Sequence, residues 1–341
     1  MSLYRIVFFV IMMLAQQGLA QDVHFRSVEV DTGYMFRGLS VVDDGVAWLS
    51  GKNGNIGRSE DGGRHWTFNA VKGFERLDFR SLYAFNAREA VIANAGSPAY
   101  IMRTTDGGAS WKVVYTNKDT NAFFDGADFW NDHDGIAYGD PINGHMLLLR
   151  TSDGGKTWKE LEDESRPVME EGEASFAASG TGIRCYGKNK VIISTGGKVS
   201  RLFVSNDRGS TWAALTPPMM HGENSAGIFS LAFANDNDGV IAGGDYMRNT
   251  LREDHVFYTR DGGKTWNKPN TATGGQRECV EFIGPNVLLA SGVTGMDISR
   301  DGGVNWVPVE GQKNFAVVRK ARNGKLVVAA GKGKLSVVTV K

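Results

Sequence analysis

Four carboxylates and two arginines are the residues of this chain best suited to chemistry. Asp125, Asp140, Asp245 and Glu278 could act as acid, base or nucleophile at a glycosidic carbon, provided that two of them face one bond. Arg37 and Arg80 offer fixed positive charge to an anionic group, while Lys52, Glu173, Thr181 and Tyr246 add polar and stacking contacts. Spacing along the chain does not give their separations in space. What brings them together is a repeat.

The phrase SEDGGRHW (Ser59 to Trp66) recurs as TTDGGASW, TSDGGKTW, SNDRGSTW, TRDGGKTW and SRDGGVNW, with the aspartates at Asp61, Asp106, Asp153, Asp207, Asp261 and Asp301. Six of the eight tryptophans sit in these phrases. A Gly pair supplies the left-handed positions of a tight turn, and the Asp carboxylate accepts from backbone amides two or three residues on. The Ser or Thr hydroxyl adds a local hydrogen bond, and the Trp gives a large apolar plate to bury against the next unit. In the fourth copy Arg208 replaces the first Gly while Gly209 remains, so the second Gly is expected to be the one that must be left-handed. The pattern S/T-x-D-x-G-x-x-W resembles the Asp box of bacterial-neuraminidase-type repeats, where its role is structural.

The aspartates are spaced by 45, 47, 54, 54 and 40 residues, a period that fits one four-stranded sheet per unit and hence a β-propeller. In the first unit the strands are read as 38–42, 46–50, 56–59 and 67–70, with the Asp box as the last hairpin. Three strands follow the sixth box, at 315–319, 325–330 and 334–340, and one orphan strand, 23–30, precedes the first unit. The expectation is an all-β, seven-bladed propeller whose last blade takes its fourth strand from the N-terminus. Aligning the inner strands puts Arg37, Arg80, Asp125, Thr181, Phe229, Glu278 and Phe315 at one mouth of the channel, with Lys52, Asp140 and Asp245 on nearby turns. Two longer connections, Leu161 to Ser179 (acid-rich) and Thr216 to Gly227, are expected on the face opposite the Asp boxes.

Several classes are excluded. Lys plus Arg equals Asp plus Glu, which gives no electrostatic case for nucleic acid or an anionic membrane. The six histidines and two cysteines have no metal-ligand spacing, and Gly51, Gly54 and Gly57 do not form a dinucleotide fingerprint. No metal or cofactor is indicated. Cys185 and Cys279 lie at opposite parity on non-adjacent units, so they are read as free thiols rather than a disulfide. Residues 1–20 read as a signal peptide cleaved near Ala20, leaving residues 21–341 as one propeller domain, periplasmic or secreted and without stable membrane insertion.

Stretches such as FFDGADFWNDHDGIAYGDPINGHMLLLRTSDGGKTW, FAASGTGI, AGIFSLAF and AGGDY resemble the exported bacterial relatives of the photosystem II stability and assembly factor. The resemblance implies a seven-bladed Asp-box propeller and, for photosynthetic members, a chaperone-like role in which a basic patch holds an assembling membrane subunit. Bacterial members are often labelled oxidoreductases, for which this sequence offers no cofactor motif. Sialidases share the Asp box, but their arginine cluster is incomplete here because Arg184 has the wrong parity to join Arg37 and Arg80. Two readings follow. One is a binding or assembly module with a protein or glycan partner at the channel mouth. The other is a carbohydrate-active hydrolase or lyase using the funnel carboxylates.

Overall fold

The computed structural model describes residues 23–340, so the signal segment read at 1–20 lies outside the described residues. Seven antiparallel sheets form a ring. Blade 1 consists of Phe36–Val41, Ala47–Gly51, Asn55–Ser59 and Thr67–Ala70, within two residues of the strands read from sequence. Blades 2, 3, 4 and 6 repeat the order, with inner strands Phe79–Ala84, Phe124–Phe129, Ile183–Tyr186 and Cys279–Gly284. Blade 7 combines Phe315–Lys320, Val327–Gly331 and Lys334–Val340 with Val23–Ser27, whose register runs from Val23 opposite Val340 to Ser27 opposite Ser336. Blade 5 departs from the plan. Its inner strands are Ala226–Phe233, Gly239–Asp245 and Val256–Thr259, and the outer strand shrinks to one bridge between Tyr258 and Asn267. Pro269, two residues on, has no amide to continue a ladder.

Strands buried along their whole length, such as Ala47–Gly51 and Val327–Gly331, leave each blade apolar on both faces, and the core is accordingly a set of wedges between blades. One wedge joins Trp48 and Ile56 of blade 1 to Phe79, Ile92 and Met102 of blade 2. Another joins Val91 and Ile101 to Phe124, Leu147 and Trp158 of blade 3. The largest spans the seam where the chain ends meet, with Leu289 of blade 6, Val317 and Val328 of blade 7 and Leu39 and Leu49 of blade 1. Each such side chain contributes about 1.5–3 kcal/mol of burial.

The Asp boxes set the spacing of the outer rim. In all six copies the Ser or Thr hydroxyl donates to the Asp Oδ1 at 2.7–3.0 Å and accepts from the second Gly amide at 2.7–3.0 Å. The amides bonded to the carboxylate lie three and four residues on, one step further than the sequence reading placed them: Asp61 Oδ1 accepts from Arg64 and His65 at 3.0 and 2.9 Å. Its other oxygen takes the side chain four residues on, Ser110 at 2.5 Å for Asp106 and Thr157, Thr211 and Thr265 at 2.6 Å for Asp153, Asp207 and Asp261.

The second glycine is left-handed in all six copies, as expected, with φ between 73° and 96°, and it also has a packing role. Arg208 also adopts a left-handed φ of 61°, so that conformation alone does not demand Gly at the first position. The second Gly touches the preceding blade. A Cβ on Gly63, Gly155 or Gly303 would stand 2.7 Å from a methyl of Val337, Val91 or Val240, respectively. Gly303→Ala should therefore cost about 1–3 kcal/mol in denaturant unfolding, whereas Arg208→Asn should stay within about 1 kcal/mol.

The boxes also predict acid sensitivity. Hydrogen bonds from the residue four positions on hold the Asp106, Asp207 and Asp261 carboxyls down to about 2. A carboxyl depressed in the fold stabilises it above its ordinary value of about 4, and that stability disappears as pH falls through the folded value. Stability should thus fall steeply between about pH 4 and pH 2, and Asp106→Asn, which no longer titrates, should flatten that slope in acid-unfolding curves.

Candidate functional site

The side chains at the channel mouth are aimed by β-bulges. Inner-strand pairing skips one residue at Arg37, Arg80, Asp125 and Phe229, so each of these is an extra residue turned out of the ladder at the same height. In blade 7 the skipped residue is Ala316, because Phe315 is paired with Gly331. The mouth position assigned from sequence to Phe315 therefore belongs to Ala316. Phe315 instead lies in the seam core.

The mouth is roofed. After blade 3 the long connection runs back over the channel as a strap, residues 173–181. Its start is fastened by Glu173–Ala174 pairing with Gly196–Gly197, and by the buried Glu173 carboxylate, which accepts from Thr195 Oγ1 at 2.5 Å and is clamped by the Arg201 guanidinium. Phe176 stacks on Phe229 with ring centres 4.0 Å apart. Arg37 Nη1 donates to the Ala178 carbonyl at 2.7 Å and to Glu278 Oε2 at 3.2 Å, and Arg80 Nη1 donates to the Ala177 carbonyl at 3.4 Å. Ser179 Oγ donates to the Glu278 carbonyl at 2.7 Å, while Thr181 bonds Ser179 and Ser230 at 2.6 Å each. Arg37, Arg80, Thr181, Glu173 and Glu278 are thus together at the mouth, and each holds the strap or its footing.

The remaining candidates divide. Asp245 closes its own turn, accepting from the Met247 amide at 2.8 Å and from Arg248 Nε at 2.7 Å. Burial raises its pKa, but these bonds outweigh burial and leave it below the usual value. Lys52 is exposed on the turn at 52–54 of blade 1, and Tyr246 is exposed beside Phe176 and Phe229, 6.3 Å from each ring. Asp140 accepts from the Ser175 amide of the strap at 3.0 Å. Asp125 lies fully buried under the strap, and neither carboxyl oxygen meets a protein donor among the described residues. Burial, and then the charge of Asp140, push its carboxyl well above the usual range against the pull of Arg80.

A second ring escaped the sequence reading. Strand alternation plus the one extra bulge residue returns a side chain to the channel three positions later. That shift gives Ser40, Tyr83, Asp128, Arg184, Ala232, Glu281 and Arg319, all of which line the channel or the recess at its Asp-box end. Arg184 indeed does not join Arg37 and Arg80. It pairs with Glu281 at 2.7 Å at the other end. Cys185 and Cys279 are free thiols.

The chain is similar to known propellers in sequence and in fold. Residues 18–120 match the family described as photosynthesis system II assembly factor YCF48, and residues 144–280 match that described as sortilin, neurotensin receptor 3. The photosystem II assembly lipoprotein Ycf48 of Synechococcus sp. (strain CC9902) is 28% identical over 97 residues, which span 28% of this chain and 28% of that relative's length. A solved structure of YCF48 bound to D1 peptide superposes with a TM-score of 0.66 at 16% identity, over 93% of this chain and 97% of that one. This chain is an Asp-box propeller similar to the Ycf48 assembly factors. YCF48 from Cyanidioschyzon merolae superposes with a TM-score of 0.64 at 17% identity, over 92% of this chain and 98% of the other. At such identities the superpositions establish the ring alone.

The buried Asp125 gives the site a pH signature. A carboxyl raised in the fold stabilises it below its ordinary value of about 4, and that contribution is lost as pH rises through the folded value. Asp125→Asn, which cannot ionise, should gain stability relative to the parent at pH 8 compared with pH 4, by about 1–3 kcal/mol in denaturant unfolding.

Proposed function

We propose that this chain is an exported, non-catalytic propeller that binds a protein partner on the strap-covered face. The observation that carries this reading is the placement of exposed apolar side chains. Val168, Tyr246, Met247 and Val293 are 64%, 50%, 74% and 43% exposed, and all lie on connections of that face. Tyr246 adjoins the Phe176–Phe229 stack, which gives it a rigid base, and Met247 follows it in the chain. Exposed aromatic and methionine side chains on a stiff support are typical of protein contact sites. The likeness to a propeller whose solved structure holds a D1 peptide supports a peptide-like partner. The lipoprotein relative supports export, and periplasmic or secreted placement, with cleavage near Ala20, follows from the signal-like N-terminus.

The hydrolase reading loses support because the mouth carboxylates are either covered or already engaged. Asp125 is covered, Asp245 caps a turn, and Glu278 is paired with Arg37, so no two of these carboxylates stand free around an open cleft. A glycan at the same face would have only Tyr246 to stack on among the candidates named from sequence.

An array of short peptides from the host's exported and membrane proteins, probed with the mature chain, should give sequence-selective binding. Replacing Tyr246 by Ala together with Met247 by Asp should weaken it at least about tenfold, or 1.4 kcal/mol, while the fold is kept. Product release from a glycan panel that Asp125→Asn abolishes would reject this reading.

A further inference from the structure

The recess at the Asp-box end of the channel has a charge imbalance that the fold leaves uncorrected. Its volume is about 450 Å³, and it is lined by Arg184, Arg319, Lys320 and Arg322 against only Asp128 and Glu281. Four cations against two carboxylates leave a surplus of two positive charges. Cys185 adds none, since burial and then the charge of Asp128 push its thiol well above the usual value.

Neither carboxylate is free to neutralise the surplus. Asp128 accepts from the Phe129 amide at 2.9 Å and from the Cys185 amide at 2.8 Å. Glu281 serves both central arginines: Oε2 takes Arg184 Nη2 at 2.7 Å and lies 3.8 Å from Arg319 Nε. Arg184 has a side chain only 8% exposed, and its Nη1 is buried with no hydrogen-bond partner among the described residues. For Arg319 the Glu281 contact at 3.8 Å is the single ion pair among the described residues. Burial and the adjacent Arg184 charge both pull its pKa below the usual arginine value. Arg322 is held over the Tyr83 ring at 4.2 Å, with Nη1 donating to Ser40 Oγ at 3.0 Å, so its charge stays fixed at the wall.

A buried and a half-buried guanidinium sharing one carboxylate is an unfavourable arrangement that a bound anion would relieve. Beyond Arg184 and Arg319 only a void of about 10 Å³ separates them from Ser179 and Gly180 of the strap, so the recess is a blind well. Tyr186, Phe233 and Phe282 line the walls above the charges and offer flat apolar surface. We propose that this well binds a small oxyanion, a carboxylate or phosphate group seated between Arg184 and Arg319, with room for a compact apolar body against the aromatic walls. The site is at the far end of the channel from the partner face and does not depend on it.

Calorimetric titration of the mature chain in low-chloride buffer tests this, with sodium benzoate and inorganic phosphate as the two probes and benzamide as the neutral control. Saturable one-to-one binding of either anion, weakened at least about tenfold by Arg319→Gln, supports the well. Benzoate without phosphate points to an organic acid as the source, and phosphate without benzoate to the inorganic ion. Should Arg319→Gln fail to fold, Glu281→Gln decides. Removing the competing carboxylate should tighten anion binding, and unchanged or weaker binding overturns the proposal. So does the absence of saturable binding by both anions, equal binding of benzamide and benzoate, or an unaltered affinity in folded Arg319→Gln.

Discussion

A sheet that is apolar on both faces can be covered only by its two neighbours, and the whole molecule follows from that requirement. An open row of such sheets would leave the outer faces of the first and last in water. Closing the ring removes both exposed faces, and the seam is where the largest apolar wedge lies, joining blades 6, 7 and 1. The composite blade 7 ties the first described strand to the last in one hydrogen-bonded ladder. Separation between neighbouring blades then has to be held at the rim as well as at the hub. The Asp boxes do this, because in five of the six copies the second Gly of the turn rests against an apolar side chain of the preceding blade, at Gly63, Gly155 and Gly303 at a distance that admits no Cβ. The carboxylate network inside the turn keeps that Gly in place.

Ring closure also dictates what the channel contains. Seven inner strands run side by side, so any position of the repeat is presented seven times at one height. The bulges select which residue that is at the mouth, and the same bulges fix a second level three residues further on. The two levels have opposite fates. At the mouth Arg37 is paired with Glu278 and, like Arg80, with a carbonyl of the strap, Asp125 is buried without a hydrogen-bond partner among the described residues, and the site is covered. At the Asp-box end the charges are left in surplus around an open recess.

Much of this was legible in the sequence. The six boxes together with the strands left over at both ends gave seven sheets, and strand limits in blade 1 fell within two residues of those observed, because Gly-rich turns and alternating apolar residues are local signals. What failed was non-local. The shift from Phe315 to Ala316 depends on how neighbouring strands pair, and a bulge has no signature within its own strand. The connection at 161–179 was placed on the correct side by strand parity, but nothing in its composition says that Phe176 to Thr181 lie across the channel. Three of the hydrogen bonds that hold it there join residues 97 to 141 positions apart. Arg184 was compared only with the mouth arginines, and the parity that excluded it there is the parity that puts it with Glu281 and Arg319.

The strap is the feature that moves the functional reading. A propeller mouth with Arg37, Arg80, Asp125 and Glu278 around an empty funnel would have the charge and access that carbohydrate chemistry needs. Once Arg37 and Arg80 hold the Ala178 and Ala177 carbonyls, the same charges become fasteners, and releasing them for catalysis would mean removing the roof that buries Asp125. A hydrogen bond from a charged donor contributes about 1.5–3 kcal/mol, so two arginines, the Phe176–Phe229 stack and the Glu173–Arg201 clamp make the roof a stable part of the fold rather than a loose lid. With the funnel filled, the surface available to a partner shifts outward, to the apolar residues on the turns around the strap.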